Sequence, residues 1–376
     1  MKELGLYVHI PFCVSKCKYC NFNSYSDKGE HIVQYLSALC KEIKQSATKS
    51  NGYQVTTIFI GGGTPSVLHD GMISTILSEI RKYYNISDTA EVTIEANPNT
   101  ITYAKASEWY MAGVNRVSVG LQSDKKNVLR AIGRTHTRAD YINVMRTLKR
   151  VGFTNINTDL MIGLPTQKQS YVKSSINLAK ALGSTHISCY SLILEDNTLL
   201  FNEVQAGKVK LPPETKTLNM YNFAYMYLKK IGYNRYEVSN FAKSGYECKH
   251  NLNTWSMAEY LGFGAGAHSY FNGHRFGNVQ DICEYIDAVA KGETKEFDES
   301  ISKAEELEET IMLGLRKVEG INLTEINQKF DIDFSESKAN QISKLTDLGL
   351  IKIENNRLFA TDYGFCLLNK VILDLV

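Results

Sequence analysis

Tyr7-Val-His-Ile-Pro-Phe-Cys13-Val-Ser-Lys-Cys17-Lys-Tyr19-Cys20-Asn-Phe22 sets three cysteines in a C-x3-C-x2-C run directly after a short apolar strand. Thiolates at this spacing reach three irons of one 4Fe–4S cube, whereas clusters that only carry electrons usually take four cysteines. The fourth iron is left without a protein ligand, and an open metal position is what a catalytic rather than a structural site keeps. Zinc is the competing reading. It asks for a fourth Cys or His at matching spacing; Asn21 to Ser24 supply none, and His9 lies back on the strand. Cys13, Cys17 and Cys20 are therefore the expected cluster ligands.

With its flanking Tyr-x-His-Ile-Pro-Phe, the run resembles the signature of the radical S-adenosylmethionine (SAM) superfamily. The resemblance implies that the open iron chelates the amino and carboxylate groups of SAM. It also implies that the reduced cluster cleaves the sulfonium to a 5′-deoxyadenosyl radical.

Composition bounds the reading. A chain of 376 residues is long enough for one large α/β barrel and a small accessory domain. Apolar content of 43%, charged content of 22% and a formal charge of +2 are those of an ordinary globular protein and argue against nucleic acid as the main partner. There is no run of about 18 apolar residues and no N-terminal pattern of a charged region, an apolar region and a small-residue cleavage site. A cytosolic protein is expected, and peripheral membrane association stays open. Eight cysteines are too few for a disulfide scaffold at this length. Cys40, Cys189, Cys283 and Cys366 lie alone in apolar stretches and read as buried small hydrophobes.

From Leu4 to about Ser191 short β-type runs alternate with helical patterns, which predicts βα units around a parallel sheet. Strands are expected at 4–10, 56–60, 91–95, 116–119, 155–162 and 186–190. Helices are expected near 30–46, 70–84, 101–112, 138–151 and 168–182, with Gly113, Gly152 and Gly183 as stops. The radical SAM resemblance implies that these units form a partial (β/α)6 barrel, and barrel chemistry sits at the C-terminal ends of strands. Polar residues fall there in series. The second strand ends in Gly61-Gly62-Gly63-Thr64-Pro65, where backbone amides can approach a ligand, and the third in Glu95-Ala-Asn97. The fourth ends in Gly120-Leu-Gln122, and the fifth carries Asp159.

Position by position, the chain resembles the oxygen-independent coproporphyrinogen III oxidase family. Tyr7, Gly62, Gly63, Thr64, Glu95, Gln122, Arg134 and Asp159 match that family's SAM-contacting positions. The resemblance implies that Arg134 pairs with the SAM carboxylate, for which a forked guanidinium is suited. Gln122 and Asp159 would hold ribose hydroxyls, and Tyr19 and Ser191 complete the expected cofactor set, Ser191 along the adenosine. Within the family the chain is most similar to the branch of heme chaperones, over nearly its whole length. Two departures from the oxidase favour that branch. The oxidase has a fourth cysteine two residues after the triad, where this chain has Phe22, and an N-terminal extension before the strand that here begins at Leu4. The resemblance thus implies a chaperone that binds a 4Fe–4S cluster, SAM and heme and passes heme to a respiratory apoprotein. The alternative is the oxidase itself, which converts propionates to vinyls by SAM-radical oxidative decarboxylation. No catalytic residue is assigned.

Three regions are expected: a barrel over 1–240, an aromatic and glycine-rich extension over 241–300, and a winged-helix-like α+β domain over 301–376. In the extension, His250-Asn251-Leu-Asn-Thr254-Trp255 stands where the heme-chaperone branch has His-Asn-x-x-Tyr-Trp. Imidazole is a good axial heme ligand and a Cys thiolate an alternative, so His250 and Cys248, with Asn251 and Trp255 beside them, are the heme candidates. A hydrogen-bonded loop histidine is the competing reading. The glycines at 262, 264 and 266 are no dinucleotide fingerprint, since no helix opens from them. In the last region three helices precede a hairpin whose turn is Asn355-Asn356. The helix in the recognition position carries Glu336, Lys338, Lys344 and Asp347 without a basic stripe, which favours a lid or docking role over DNA binding.

Overall fold

In the computed structural model, which describes residues 1–376, six parallel strands run in sequence order: β1 (Lys2–Ile10), β2 (Tyr53–Gly62), β3 (Ile86–Ala96), β4 (Arg116–Gln122), β5 (Asn155–Ile162) and β6 (His186–Ser191). Alternation decides which side chains face the axis. Ile58, Ile60, Ile94, Val117, Val119, Leu160 and Ile162 point outward under the helices, none more than 2% exposed. Their neighbours Phe59, Glu95, Ser118 and Asp159 point inward, as the period of two requires. Register then stacks the polar residues: Glu95 lies beside Ser118, Gly120 beside Asp159, and Asp159 beside Ser188.

The outer helices bury one stripe each. Ile32–Ser46 buries Ile32, Tyr35, Leu39 and Ile43 at helical spacing. Arg138–Val151 starts on a capping box of Thr137 and Asp140 and stops at Gly152, whose φ of 119° suits a residue without Cβ. Each expected strand and helix of the barrel is present with its ends shifted by a few residues, and 155–162 and 138–151 coincide with it.

The sheet is larger than six strands. Beyond β6 it continues antiparallel through β8 (Asn240–Ala242) to β7 (Asn234–Arg235). Beyond β1 it continues through β9 (Tyr260–Phe263), parallel to β1, and then β10 (His268–Phe271), β11 (His274–Asn278) and β12 (Lys295–Ser300), all antiparallel. These strands have two to six residues, too short for a readable period. Residues 241–300, set apart by composition, therefore share the barrel's sheet. Phe263, Phe271, Phe276, Tyr285 and Val289 belong to the barrel's own core.

The final region holds a separate core of residues such as Ile311, Leu345, Leu358 and Val371. Its small sheet orders β13 (Ile321–Asn322), β15 (Arg357–Ala360) and β14 (Ile351–Glu354), with helices Leu323–Phe330 and Ala339–Asp347 before the hairpin. Asn355 and Asn356 have φ of 51° and 60°, the two positive values that a type I′ turn requires. Among the single cysteines Cys189 is buried, but Cys283 is exposed on the helix Ile282–Lys291. No helix is long and apolar enough to cross a membrane.

Candidate functional site: a cysteine loop over the barrel mouth

At the end of β1 the chain turns outward, and the loop is pinned shut where it begins. The Tyr25 N–H donates to Pro11 O at 2.7 Å and the Cys13 N–H to Tyr25 O at 2.9 Å. Cys13, Cys17 and Cys20 all line one cavity of about 380 Å³ at the C-terminal ends of the strands. Neighbouring elements hold the loop in place. The Lys18 N–H donates to Ile132 O at 3.1 Å, the Leu200 N–H donates to Lys18 O at 2.7 Å, and the Lys18 ammonium meets Glu203 at 2.6 Å. On the inner side His9 Nε2 faces the Asn23 carbonyl at 2.8 Å, so that nitrogen carries the proton and Nδ1 accepts from the Tyr7 hydroxyl at 2.9 Å. Burial holds this imidazole neutral, its pKa lowered.

The glycine run works differently from the expectation that its amides are free for a ligand. The Gly63 and Thr64 N–H groups donate to Ile10 O and Phe12 O, both at 2.8 Å, and the Gly62 N–H donates to Glu95 at 3.2 Å. A Cβ on Gly63 would lie 2.8 Å from Phe12 O, and one on Gly62 2.6 Å from the His9 ring. The run therefore lets β2 pass close under the cysteine loop and tie it down. Thr64 also brings its hydroxyl within 3.5 Å of the Cys13 sulfur.

Across the cavity the Arg134 guanidinium donates to Asn97 Oδ1 at 2.8 Å and to the Tyr19 hydroxyl at 3.3 Å, while its Nε is buried with no partner in the protein. Gly120 makes room for it: a Cβ there would sit 3.0 Å from Nη2. Burial pushes the Tyr19 hydroxyl up to about 12. Glu95 is pushed up to about 7, first by burial and then by the charge of Asp159. Asp159 is itself raised by burial, while Ser118 and Asn157 donate to it at 3.0 and 2.7 Å. Gln122, at a φ of 60°, accepts from the Tyr190 hydroxyl at 3.3 Å.

These residues fit the expected groups. Cys13, Cys17 and Cys20 all line one cavity, where a cube would take each thiolate on a different iron. Arg134 lines this cavity of ligand size, and its buried Nε–H has no acceptor within the protein.

Of the residues expected from sequence, the three cysteines, Tyr19, Gly62, Gly63, Thr64, Glu95, Gln122, Arg134, Asp159 and Ser191 line this cavity. Tyr7 does not; it points into the barrel beside Phe59 and acts on the loop through His9. The heme candidates are elsewhere. Cys248 and His250 start the helix Lys249–Trp255, which closes the N-terminal end of the barrel. The Glu91 carboxylate accepts from the Lys249 N–H at 3.1 Å, the His250 N–H at 3.2 Å and the Cys248 thiol at 3.4 Å. His250 Nδ1 pairs with the Thr57 hydroxyl at 2.9 Å, and its ring stacks on Phe59. Thr57 and Glu91 precede the cavity residues Gly62 and Glu95 by five and four positions, about 13–17 Å along a strand. Both candidates are thus buried, at 0% and 9% exposure, behind the barrel floor, with Asn251 and Trp255 on the same helix. Asn97, Gly120, Tyr190 and Ile193 also line the cavity. The first two stand at strand ends, where the serial signal could have included them; Tyr190 and Ile193 carry no such mark.

A cysteine loop leaving the first strand of a parallel partial barrel defines the class. Residues 7–179 match the radical SAM superfamily and residues 301–367 the HemN C-terminal domain, so this is a radical SAM protein. Heme chaperone HemW of Bacillus subtilis (strain 168) is 39% identical over 326 residues, covering 86% of each chain. HemW of Lactococcus lactis subsp. lactis is 38% identical over 370 residues, 98% of this chain and 96% of its own. The chain belongs to the HemW family. The mitochondrial radical S-adenosyl methionine domain-containing protein 1 of Danio rerio is also similar, 34% identical over 85% of this chain and 74% of its own. In fold the chain resembles coproporphyrinogen III oxidase (HemN) of Escherichia coli, with a TM-score of 0.87 and 24% identity over 100% of this chain and 90% of that one.

Proposed function

We propose that the protein is a heme chaperone that carries a 4Fe–4S cluster on Cys13, Cys17 and Cys20, binds SAM in the adjoining cavity, and delivers heme to a respiratory acceptor. The observation that carries the reading is kinship along nearly the whole chain with proteins named heme chaperones. Phe22, 68% exposed at the cavity wall, supports it, because the resemblance to the oxidase calls for a cysteine there. The bound cluster would supply one-electron chemistry and an open coordination position. The chain's own residues orient the ligand: Arg134 offers its guanidinium to a carboxylate, Gln122 and Asp159 face ribose hydroxyls, and the tied glycine turn keeps the cysteine loop against the cavity. Its place is the cytosol, with peripheral contact to a membrane-bound acceptor.

Heme ligation by His250 or Cys248 requires the floor helix to leave the barrel and give up its contacts with Glu91 and Thr57. The burial of both groups therefore favours a heme ligand elsewhere. The decisive experiment supplies anaerobically reconstituted protein with SAM, a low-potential reductant and coproporphyrinogen III, and titrates heme in parallel. No decarboxylated product together with stoichiometric heme binding is expected; catalytic turnover would make the protein an oxidase. In the same titration His250→Ala is expected to leave the heme spectrum and affinity unchanged, and a lost Soret shift would restore His250 as the ligand.

A further inference from the structure

We infer that Tyr236 and His186, neither of which lines the cavity, are positioning residues that aim the Asp159 carboxylate at the ribose through a one-directional chain of hydrogen bonds. The inference rests on the reading of the cavity as a SAM site. Its direction follows from one contact. The Ser188 N–H lies 3.1 Å from Asn157 Oδ1, and since a backbone amide can only donate, that atom is the carbonyl oxygen and the side-chain amide cannot be turned round. Asn157 Nδ2 therefore faces Asp159 Oδ1, as donor, at 2.7 Å. His186 Nδ1 lies 2.6 Å from the same Asn157 Oδ1, so Nδ1 holds the imidazole proton. His186 Nε2 is then bare and takes the hydrogen of the Tyr236 hydroxyl at 2.7 Å. The Tyr236 oxygen accepts in turn from the Cys248 N–H at 3.2 Å. The proton order Tyr236, His186, Asn157, Asp159 admits no reversal.

The interior of the chain is closed to water: His186 is 0% and Asn157 2% exposed. A polar column in such a place is costly unless every member is satisfied, so losing one hydrogen bond disturbs the rest. Without the Tyr236 hydroxyl, Nε2 has no donor. Moving the imidazole proton there would set Nδ1 against the Asn157 carbonyl, acceptor to acceptor. Turning the Asn157 amide relieves that clash only by presenting its oxygen to Asp159 and abandoning the Ser188 N–H. The first leaves the amide strained against the imidazole, and the second takes the Asn157 donor from the carboxylate, which then keeps Ser118 at 3.0 Å. Nothing in the sequence marks Tyr236 or His186 for this task, because they meet only across β6, β8 and the floor helix.

The test compares SAM with its 2′,3′-dideoxy analogue by calorimetry on the full-length reconstituted protein, wild type and Tyr236→Phe, with iron and sulfide counted in each. Wild type is expected to prefer SAM by roughly tenfold or more, since the hydroxyls bond a charged group. In Tyr236→Phe the preference is expected to shrink to about threefold or less, with affinity for the analogue and the iron content unchanged. A preserved preference, or an equal loss for both ligands, overturns the inference. Should Tyr236→Phe fail to fold, the isosteric Asn157→Asp, which removes the donor at its last step, undergoes the same comparison with the same expectation. A wild type that binds neither ligand overturns the SAM reading itself, and one that binds both equally removes the ribose from Asp159 and the inference with it.

Discussion

Glu42 shows how far a residue's role can lie from its local sequence. On an amphipathic helix a glutamate reads as part of the solvated face, yet this one is 4% exposed and accepts from the Tyr285 hydroxyl at 2.6 Å, Asn278 Nδ2 at 2.6 Å and the Gly264 N–H at 2.8 Å. It thereby ties down the turn after β9, where Ala265 O accepts from Asn23 of the cysteine loop at 3.2 Å. Burial outweighs those donors and pushes its carboxyl from 4.5 up to about 7. A folded-state pKa above the unfolded one means stability that is fully present below pH 4.5 and lost as pH rises through about 7. Glu95 and Glu237, both also pushed up to about 7 chiefly by burial, act in the same direction. The melting temperature should therefore fall between pH 5 and pH 8. Glu42→Gln should flatten part of that slope; an unchanged slope in scanning calorimetry would show that Glu42 is already ionised in the fold.

At the scale of elements, β9 decides how the barrel is closed beside β1, and Gly262 decides how β9 fits. Its Cα pairs with Tyr7, its N–H donates to the Ser269 hydroxyl at 2.9 Å, and a Cβ would stand 2.1 Å from the His268 carbonyl oxygen. Backbone cannot retreat there as a flexible side chain could. Gly262→Ala should cost about 2–4 kcal/mol, the range of an overpacked or strained core position. A shift in the urea midpoint measures it, and a loss under about 0.5 kcal/mol would mean that β9 yields. The contrast with Gly152 is instructive. A helix-stop glycine is announced by the helical pattern before it, whereas a glycine required by a distant carbonyl has no local signature.

Across the whole molecule the last region is seated on the barrel through Arg235. Its side chain is 4% exposed, its guanidinium lies 4.2 Å from the Tyr225 ring and 3.9 Å from the Phe365 ring, and it pairs with Asp362 at 3.0 Å. Beside it the Val318 N–H donates to Tyr236 O at 3.0 Å, and Lys317 reaches Ser256 at the end of the floor helix at 2.9 Å. A guanidinium held between two rings and away from water contributes about 2 kcal/mol or more. Arg235→Ala should loosen the junction and leave each core intact. Limited proteolysis is expected to release the C-terminal domain faster than from wild type, with the cluster content unchanged; equal rates would place the hold in the other contacts.

What the sequence by itself determined is what short-range chemistry can encode. The spacing of Cys13, Cys17 and Cys20, the alternation that turns Glu95 and Asp159 inward, the helix stops and the Asn355-Asn356 turn all depend on neighbours a few positions away. Parallel strands add a rule that carries such signals into three dimensions: their C-terminal ends meet, so polar residues read in series converge on one cavity. Only the tertiary structure decided where the short strands after residue 233 attach, because two to six residues without a period specify no partner. It also decided that His250 and Cys248 close the barrel floor. A histidine and a cysteine advertise ligand chemistry wherever they stand, but whether they meet a ligand or a buried Glu91 and Thr57 depends on which end of the barrel the chain returns to. That choice belongs to the packing of the whole chain.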